Sequence, residues 1–189
     1  MLSAKGLSAA NFIGVDSGTD GDERQELDNA AEALIRLLTG RSLYLAAAES
    51  CTAGLAADAL ARIPGASLCF WGSFVCYTPQ AKIHMLGLED EALARFGLVS
   101  KETARDMALG ALEKSGVDAV FSVTGYAGPG GIHNGVEIPE GTVWIATALR
   151  SSGPAEAVKF HFTGSRNQVR RQAARKALEQ IIIRLNKDT

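Results

Sequence analysis

The sequence is short of most features that announce a function class. It holds three cysteines in 189 residues, Cys51, Cys69 and Cys76, and no CxxC pair. That odd, scattered set fits a reducing compartment better than a disulfide framework. His84, His133 and His161 are equally scattered and make no metal-ligand spacing with a cysteine or with each other. Neither charge is in excess: 19 Lys and Arg against 21 Asp and Glu leave a net −2. Bulk nucleic-acid binding usually needs a strong basic surplus, so this balance argues against a nucleic-acid partner. No apolar run approaches the ~18 residues needed to cross a bilayer. The N-terminus lacks the basic-then-apolar pattern of a secretion leader. The expectation is a cytoplasmic protein that needs no metal or cofactor and has no membrane partner.

What is present suits a compact soluble fold. Hydrophobic residues make up 47% and charged residues 21%, as in ordinary globular proteins. A chain of this length buries a sizeable core without covalent staples. Residues 1–21 are rich in Gly, Ser, Ala and Asp without a period and read as a flexible tail; residues 22–189 read as one domain.

Asp22 caps a predicted helix to about Leu38, with Leu27, Ala31, Leu34 and Leu38 on one face. A strand at Leu43–Ala48 follows, then a small-residue helix from the Ser50–Thr52 region to about Ile63, ended by Pro64-Gly65. Leu68–Tyr77 reads as a strand, and Pro79 opens another helix. Ser100 caps a helix from Lys101 to about Lys114. Asp118–Thr124 reads as a buried strand, followed by a glycine-rich segment and a loop of about ten residues. Thr142–Leu149 and Ala155–Phe162 read as an antiparallel hairpin, and Ser165 caps a last helix to about Leu185. The order α-β-α-β-α-α-β-β-β-α gives an α/β class, a three-layer α/β/α sandwich with a mixed, mostly parallel sheet.

Four segments carry polar residues where chemistry could sit. Glu49-Ser50-Cys51-Thr52 ends a strand and enters a helix, so Ser50 is either a cap or a nucleophile with oxyanion donors at hand. Glu49 at a buried strand end demands a polar partner or solvent. Tyr77 ends the next strand, and Lys82 lies one helical turn further; a lysine held in an apolar pocket becomes a base, whereas most lysines are surface residues. Thr124 to Gly131 contains four glycines in eight residues, Gly125, Gly128, Gly130 and Gly131. Such a loop brings backbone amides close to a phosphate or carboxylate, yet it is neither a Walker loop nor GxGxxG. Arg166 and Arg170, four apart, share a face at the start of the last helix and suit an anion. A solvated basic face is the plainer alternative.

Three blocks taken together resemble the CinA C-terminal domain family: Ala48-Glu49-Ser50-Cys51-Thr52-Ala53-Gly54, the run from Tyr77 to Gly87, and the run from Ser122 to Gly131. Pro139-Glu140-Gly141-Thr142-Val143 and Phe162-Thr163-Gly164-Ser165-Arg166 are similar to its later blocks. The blocks occur in the family's order across about residues 25–185. Ala53 stands where a glycine is usual, Tyr126 where an isoleucine is usual, and Glu140 where a small apolar residue is common. The resemblance implies a nicotinamide-nucleotide amidase that hydrolyses the carboxamide of nicotinamide mononucleotide without metal or cofactor. It also implies a homo-oligomer, dimer or higher. The further N-terminal domain of some relatives, linked to pyrophosphatase activity, has no matching block, so that activity is not expected.

The expected machinery is Ser50 as nucleophile, Lys82 as general base and Tyr77 as proton relay or tuning group. Amides near Cys51 and Thr52, or in the glycine loop, would hold the oxyanion. Arg166, Arg170 and Gly125, Gly128, Gly130 and Gly131 are candidates for the phosphate, with Glu49, Thr52 and Thr124 also placed around the substrate. The alternatives are a non-catalytic nucleotide-binding module and an accessory protein for competence or DNA damage.

Overall fold

A computed structural model describes residues 20–151 and 153–188. The tail predicted for residues 1–21 lies almost wholly outside them. The elements are α1 (Asp20–Arg41), β1 (Leu45–Glu49), α2 (Leu55–Ala61), β2 (Phe70–Val75), α3 (Pro79–Leu86), α4 (Asp90–Phe96), α5 (Lys101–Ser115), β3 (Ala119–Gly125), β4 (Gly131–His133), β5 (Val136–Ile138), β6 (Thr142–Leu149), β7 (Glu156–His161) and α6 (Arg166–Lys187).

Five strands form the main sheet in the order β2-β1-β3-β6-β7. β1 pairs in parallel with both β2 and β3, while β6 runs against its neighbours β3 and β7. Four of the five strands therefore point one way, so the sheet is mixed but mostly parallel. The strict alternation of side chains along each strand divides the core. Leu45, Ala47, Phe121, Val123 and Ile145 face one side and pack with residues of α1, α2 and α6. Ala46, Ala48, Val120, Ala146 and Ala148 face the other and meet α3, α4 and α5. This is the α/β/α sandwich expected from the sequence.

The first layer is fixed at its rim by charge. α1 and α6 run side by side in the same direction, linked by Glu23–Arg171 at 2.8 Å, by Glu26–Arg175, and by Arg41 donating to the Leu185 carbonyl at 2.7 Å. In the opposite layer α5 presses Gly110 onto the end of α3, where an added Cβ would land on the Leu86 carbonyl oxygen. Gly110→Ala should therefore destabilise the protein. Alanine gains ~1 kcal/mol of helix propensity, but forcing backbone apart in a packed core costs about 1–3 kcal/mol. A urea midpoint that falls confirms the close approach; one that rises refutes it.

Several details differ from the sequence reading. The first helix is already formed at Asp20, so Asp22 lies inside it rather than capping it, and the last two residues of the expected tail are helical. The second helix begins at Leu55 rather than beside Ser50, because residues 51–54 form a turn with Ala53 and Gly54 at φ of 51° and 90°. A short helix, α4, occupies a stretch to which the sequence reading assigns no element. The ten-residue loop contains the β4–β5 hairpin, turned by Asn134 and Gly135 at φ of 49° and 76°.

Candidate active site

The carboxyl ends of β1, β2 and β3 lie side by side, which is where open α/β sheets place ligands. Each delivers one of the polar segments. Ser50 follows β1 directly, and its N–H donates to the Val123 carbonyl on β3 at 2.9 Å. The ladder also continues past β2, with the Cys76 N–H donating to the Glu49 carbonyl at 2.9 Å. Thr78 then caps α3 by accepting from the Ala81 N–H at 3.1 Å, and Pro79 fills its first turn. This local geometry aims Lys82 back under the strand ends.

Lys82 is 1% exposed. Its Nζ lies 2.9 Å from Ser50 Oγ and 2.9 Å from the Cys76 carbonyl oxygen. Among the described residues no carboxylate forms an ion pair with it. Burial without a counter-charge penalises the ammonium, so the Lys82 pKa is lowered from its ordinary value, chiefly by desolvation. The thiols of Cys76 and Cys51 would oppose this only as thiolates. Burial pushes them up to about 11 and about 12, so near neutral pH they are uncharged and leave Lys82 desolvated. The same burial rules out Cys51 as an activated nucleophile. A neutral amine has two N–H donors and one lone pair. With one N–H on the Cys76 carbonyl, the lone pair is available to the Ser50 hydroxyl.

The cleft beside this pair has a volume of about 320 Å³ and is lined by Ser50, Cys51, Tyr77, Lys82, Thr124, Gly125, Tyr126, Gly128, Gly130 and Arg166, with Leu98 and Val99 closing one side. That size suits a small-molecule ligand. Arg166 stands at the rim, donating to the Tyr77 hydroxyl at 2.7 Å and to the Gly128 carbonyl. Tyr77 is thereby held by Arg166, and no hydrogen bond joins it to Lys82 among the described residues. Thr124 reaches the cleft with its hydroxyl donating to the Leu98 carbonyl at 2.7 Å. Leu98 and Val99 are absent from the sequence-based candidates, since the chain around them offers only an apolar pair ahead of the Ser100 cap.

Four of the expected substrate residues are placed elsewhere. Glu49 is wholly buried beneath α2, where its carboxylate accepts from the N–H groups of Gly54, Ala56 and Ala57 at 3.0, 3.1 and 3.0 Å and from Ser73 Oγ at 3.0 Å. Its charge is spent on the unpaired start of a helix. Arg170 donates from Nε to the Cys51 carbonyl at 3.2 Å and from Nη2 to the Thr52 carbonyl at 2.9 Å, and so faces the back of the turn. Thr52 is fully buried and outside the cleft lining. Gly131 lines a separate groove, and an added Cβ there would strike the Tyr126 ring, so its bareness serves that ring. Ala53 holds a left-handed φ where a glycine would be unstrained, a cost of ~1–2 kcal/mol that the rest of the turn must offset.

The model of the CinA C-terminal domain matches residues 27–185. The chain belongs to the CinA C-terminal domain family. A CinA-like protein of Chlorobaculum tepidum is 40% identical over 157 residues, which is 82% of this chain and 37% of that protein. A putative competence-damage inducible protein of Caldicellulosiruptor bescii is 42% identical over 159 residues, 84% of this chain and 37% of that one. The chain thus spans little more than a third of these curated relatives. Among solved structures, the CinA superfamily protein of Escherichia coli aligns with a TM-score of 0.77 at 35% identity, covering 82% of this chain and 88% of that one. The competence/damage inducible protein CihA of Agrobacterium tumefaciens gives 0.78 at 39%, covering 84% and 94%. In this CinA-family fold the three blocks of the resemblance are the three neighbouring strand ends, each with the turn, helix or loop that succeeds it. Among the described residues no group of three or more His, Cys, Asp or Glu side chains is placed to hold a metal. No described helix is long and apolar enough to cross a membrane.

Proposed function

We propose that this protein hydrolyses the carboxamide of nicotinamide mononucleotide, releasing nicotinic acid mononucleotide and ammonia. The observation that carries the reading is the buried Lys82 Nζ, without a counter-charge among the described residues, lying 2.9 Å from Ser50 Oγ. Lys82 takes the hydroxyl proton as Ser50 Oγ attacks the carboxamide carbon. The negative oxygen that develops meets the N–H group of Cys51, a residue that lines the cleft and whose N–H bonds to no other described residue. Lys82 then gives its proton to the departing nitrogen, ammonia leaves, and an ester to Ser50 remains. Water, deprotonated by the same amine, cleaves that ester and restores the serine. Arg166 sets a permanent positive charge at the rim, and the loop from Gly125 to Gly130 offers backbone close by, which suits a phosphate. The substrate identity comes from the family resemblance; the hydrolytic chemistry comes from the pair. On this reading residues 22–189 act as one amidase domain.

The test is ammonia and acid release from nicotinamide mononucleotide by wild type and by Ser50→Ala. Turnover by the first and a loss of at least ~10³-fold in the second is expected, the scale of losing a nucleophile. Near-normal turnover by Ser50→Ala would overturn the mechanism. Tight mononucleotide binding with no ammonia release would mark a nucleotide-binding module instead.

A further inference from the structure

The Cys51 N–H assigned to the oxyanion lies at the end of a hydrogen-bonded chain that leads back to the Arg170 side chain. All peptide bonds of the turn are trans, so each N–H points opposite to the carbonyl of its own peptide plane. The plane joining Cys51 to Thr52 has its carbonyl held by Arg170 Nε at 3.2 Å, and its N–H, that of Thr52, bonds to no other described residue. The plane joining Thr52 to Ala53 has its carbonyl held by Arg170 Nη2 at 2.9 Å and, more weakly, by the Leu55 N–H at 3.2 Å. Its N–H, that of Ala53, donates to the Ser50 carbonyl at 3.0 Å. The plane joining Ser50 to Cys51 is thereby held in turn, and its N–H, that of Cys51, bonds to no other described residue.

We propose that Arg170 is the positioning residue of the oxyanion site: it aims and polarises the Cys51 amide from behind and does not touch the substrate. The inference rests on the Ser50 reading above. A permanent cation on two carbonyls gives charge-assisted bonds, and bonds in series polarise one another. The rigid planar fork of arginine spans two adjacent carbonyls, which a single ammonium does not reproduce. Arg170 also lines a second cavity of about 280 Å³ with Arg62, Arg171 and Asn167, away from the catalytic cleft. Removing its side chain therefore opens the back of the turn to small solutes.

The effect should fall on the chemical step. Losing one oxyanion donor typically costs ~10²–10³-fold in kcat, and Arg170→Ala is expected to lose about that factor. KM for nicotinamide mononucleotide should stay within roughly threefold, because the phosphate site is untouched. Arg170→Lys should recover part of the rate. Millimolar guanidinium chloride should restore Arg170→Ala at least about tenfold, and Ser50→Ala not at all. A second assay is independent of substrate identity. A dialkyl fluorophosphate reacts with an activated serine: the Ser50 Oγ–P bond forms, the P–F bond breaks, fluoride leaves, and Lys82 takes the proton. Arg170→Ala should slow this labelling by a similar factor. Slowed labelling in a protein that spares nicotinamide mononucleotide would sink the proposed substrate and keep Arg170 in its role. Labelling at the wild-type rate, a kcat within threefold of wild type, or a loss confined to KM would overturn the role. Failure of Ser50 to label in the wild type would overturn the role and the serine mechanism together.

Discussion

Lys82→Met is expected to abolish turnover while the protein still folds. The substitution keeps the length and apolar stem of the side chain and removes the one group that, among the described residues, lies within hydrogen-bond reach of Ser50 Oγ. General-base assistance is worth about 10²–10⁴-fold, and a serine hydroxyl is a poor nucleophile without it, so a loss of at least ~10³-fold should be measured as ammonia release. The pH dependence has a definite sign. Lys82 must be neutral to act, and burial lowers its pKa, so wild-type activity should rise with pH and reach its plateau below the ordinary lysine range. Stability follows the same proton. Between the lowered native pKa and the ordinary unfolded value near ~10.4, the unfolded chain binds the extra proton, so wild-type stability climbs with pH across that window. Lys82→Met has no such proton. Its melting temperature relative to wild type should therefore fall as the pH rises from the lowered native pKa toward the ordinary lysine value. A constant difference would mean that Lys82 is charged in the folded protein throughout.

Glu49→Leu should be the most damaging single change to the fold near the site. The carboxylate is the acceptor for three backbone N–H groups and one hydroxyl. Leucine leaves those donors without a partner, at ~1–3 kcal/mol for each that water cannot reach. Since Gly54 and Ala57 are only partly buried, the expected total is about 3–5 kcal/mol. Glu49→Gln keeps one acceptor oxygen and should lose less. Chemical denaturation of both variants, with ammonia release beside it, is the check. An unchanged midpoint for Glu49→Leu would show that solvent satisfies the start of α2. If Glu49 contacted substrate instead, Glu49→Gln would raise KM and spare stability.

The parts of this fold written in local chemistry could be read from the chain. Ser100 and Ser165 each precede a helix that begins at the next residue, because a hydroxyl that accepts from the third amide onward is a local signal. α4 escaped because it is seven residues long with Leu93 its one buried side chain, too little for a helical period. The β4–β5 hairpin escaped because Ile132 and Val136 both face solvent, although Asn134-Gly135 is a turn signal that could have found it. At the site, Ser50 and Lys82 were legible through the family resemblance, because taken alone a serine before a helix also reads as a cap and a lysine on a helix as a surface residue. Glu49 and Arg170 were misplaced for a shared reason. A sequence shows that a residue is charged, but not that its partners will be peptide groups of its own backbone.

The continuing ladder between β1 and β2 has a consequence for how such a protein can change over time. Ser50 follows one strand, the carbonyl that steadies Lys82 follows its neighbour, and the Cys76 N–H bond to Glu49 locks the two in register. The spacing of the proposed nucleophile and base is thus inherited from the sheet. The surfaces that would select a substrate come from other places: the glycine loop after β3, Leu98 and Val99 before α5, and the start of α6. On the proposed mechanism, bond cleavage and molecular choice are built from separable pieces. Insertions and substitutions in the latter can explore new amides while the former is carried along unaltered.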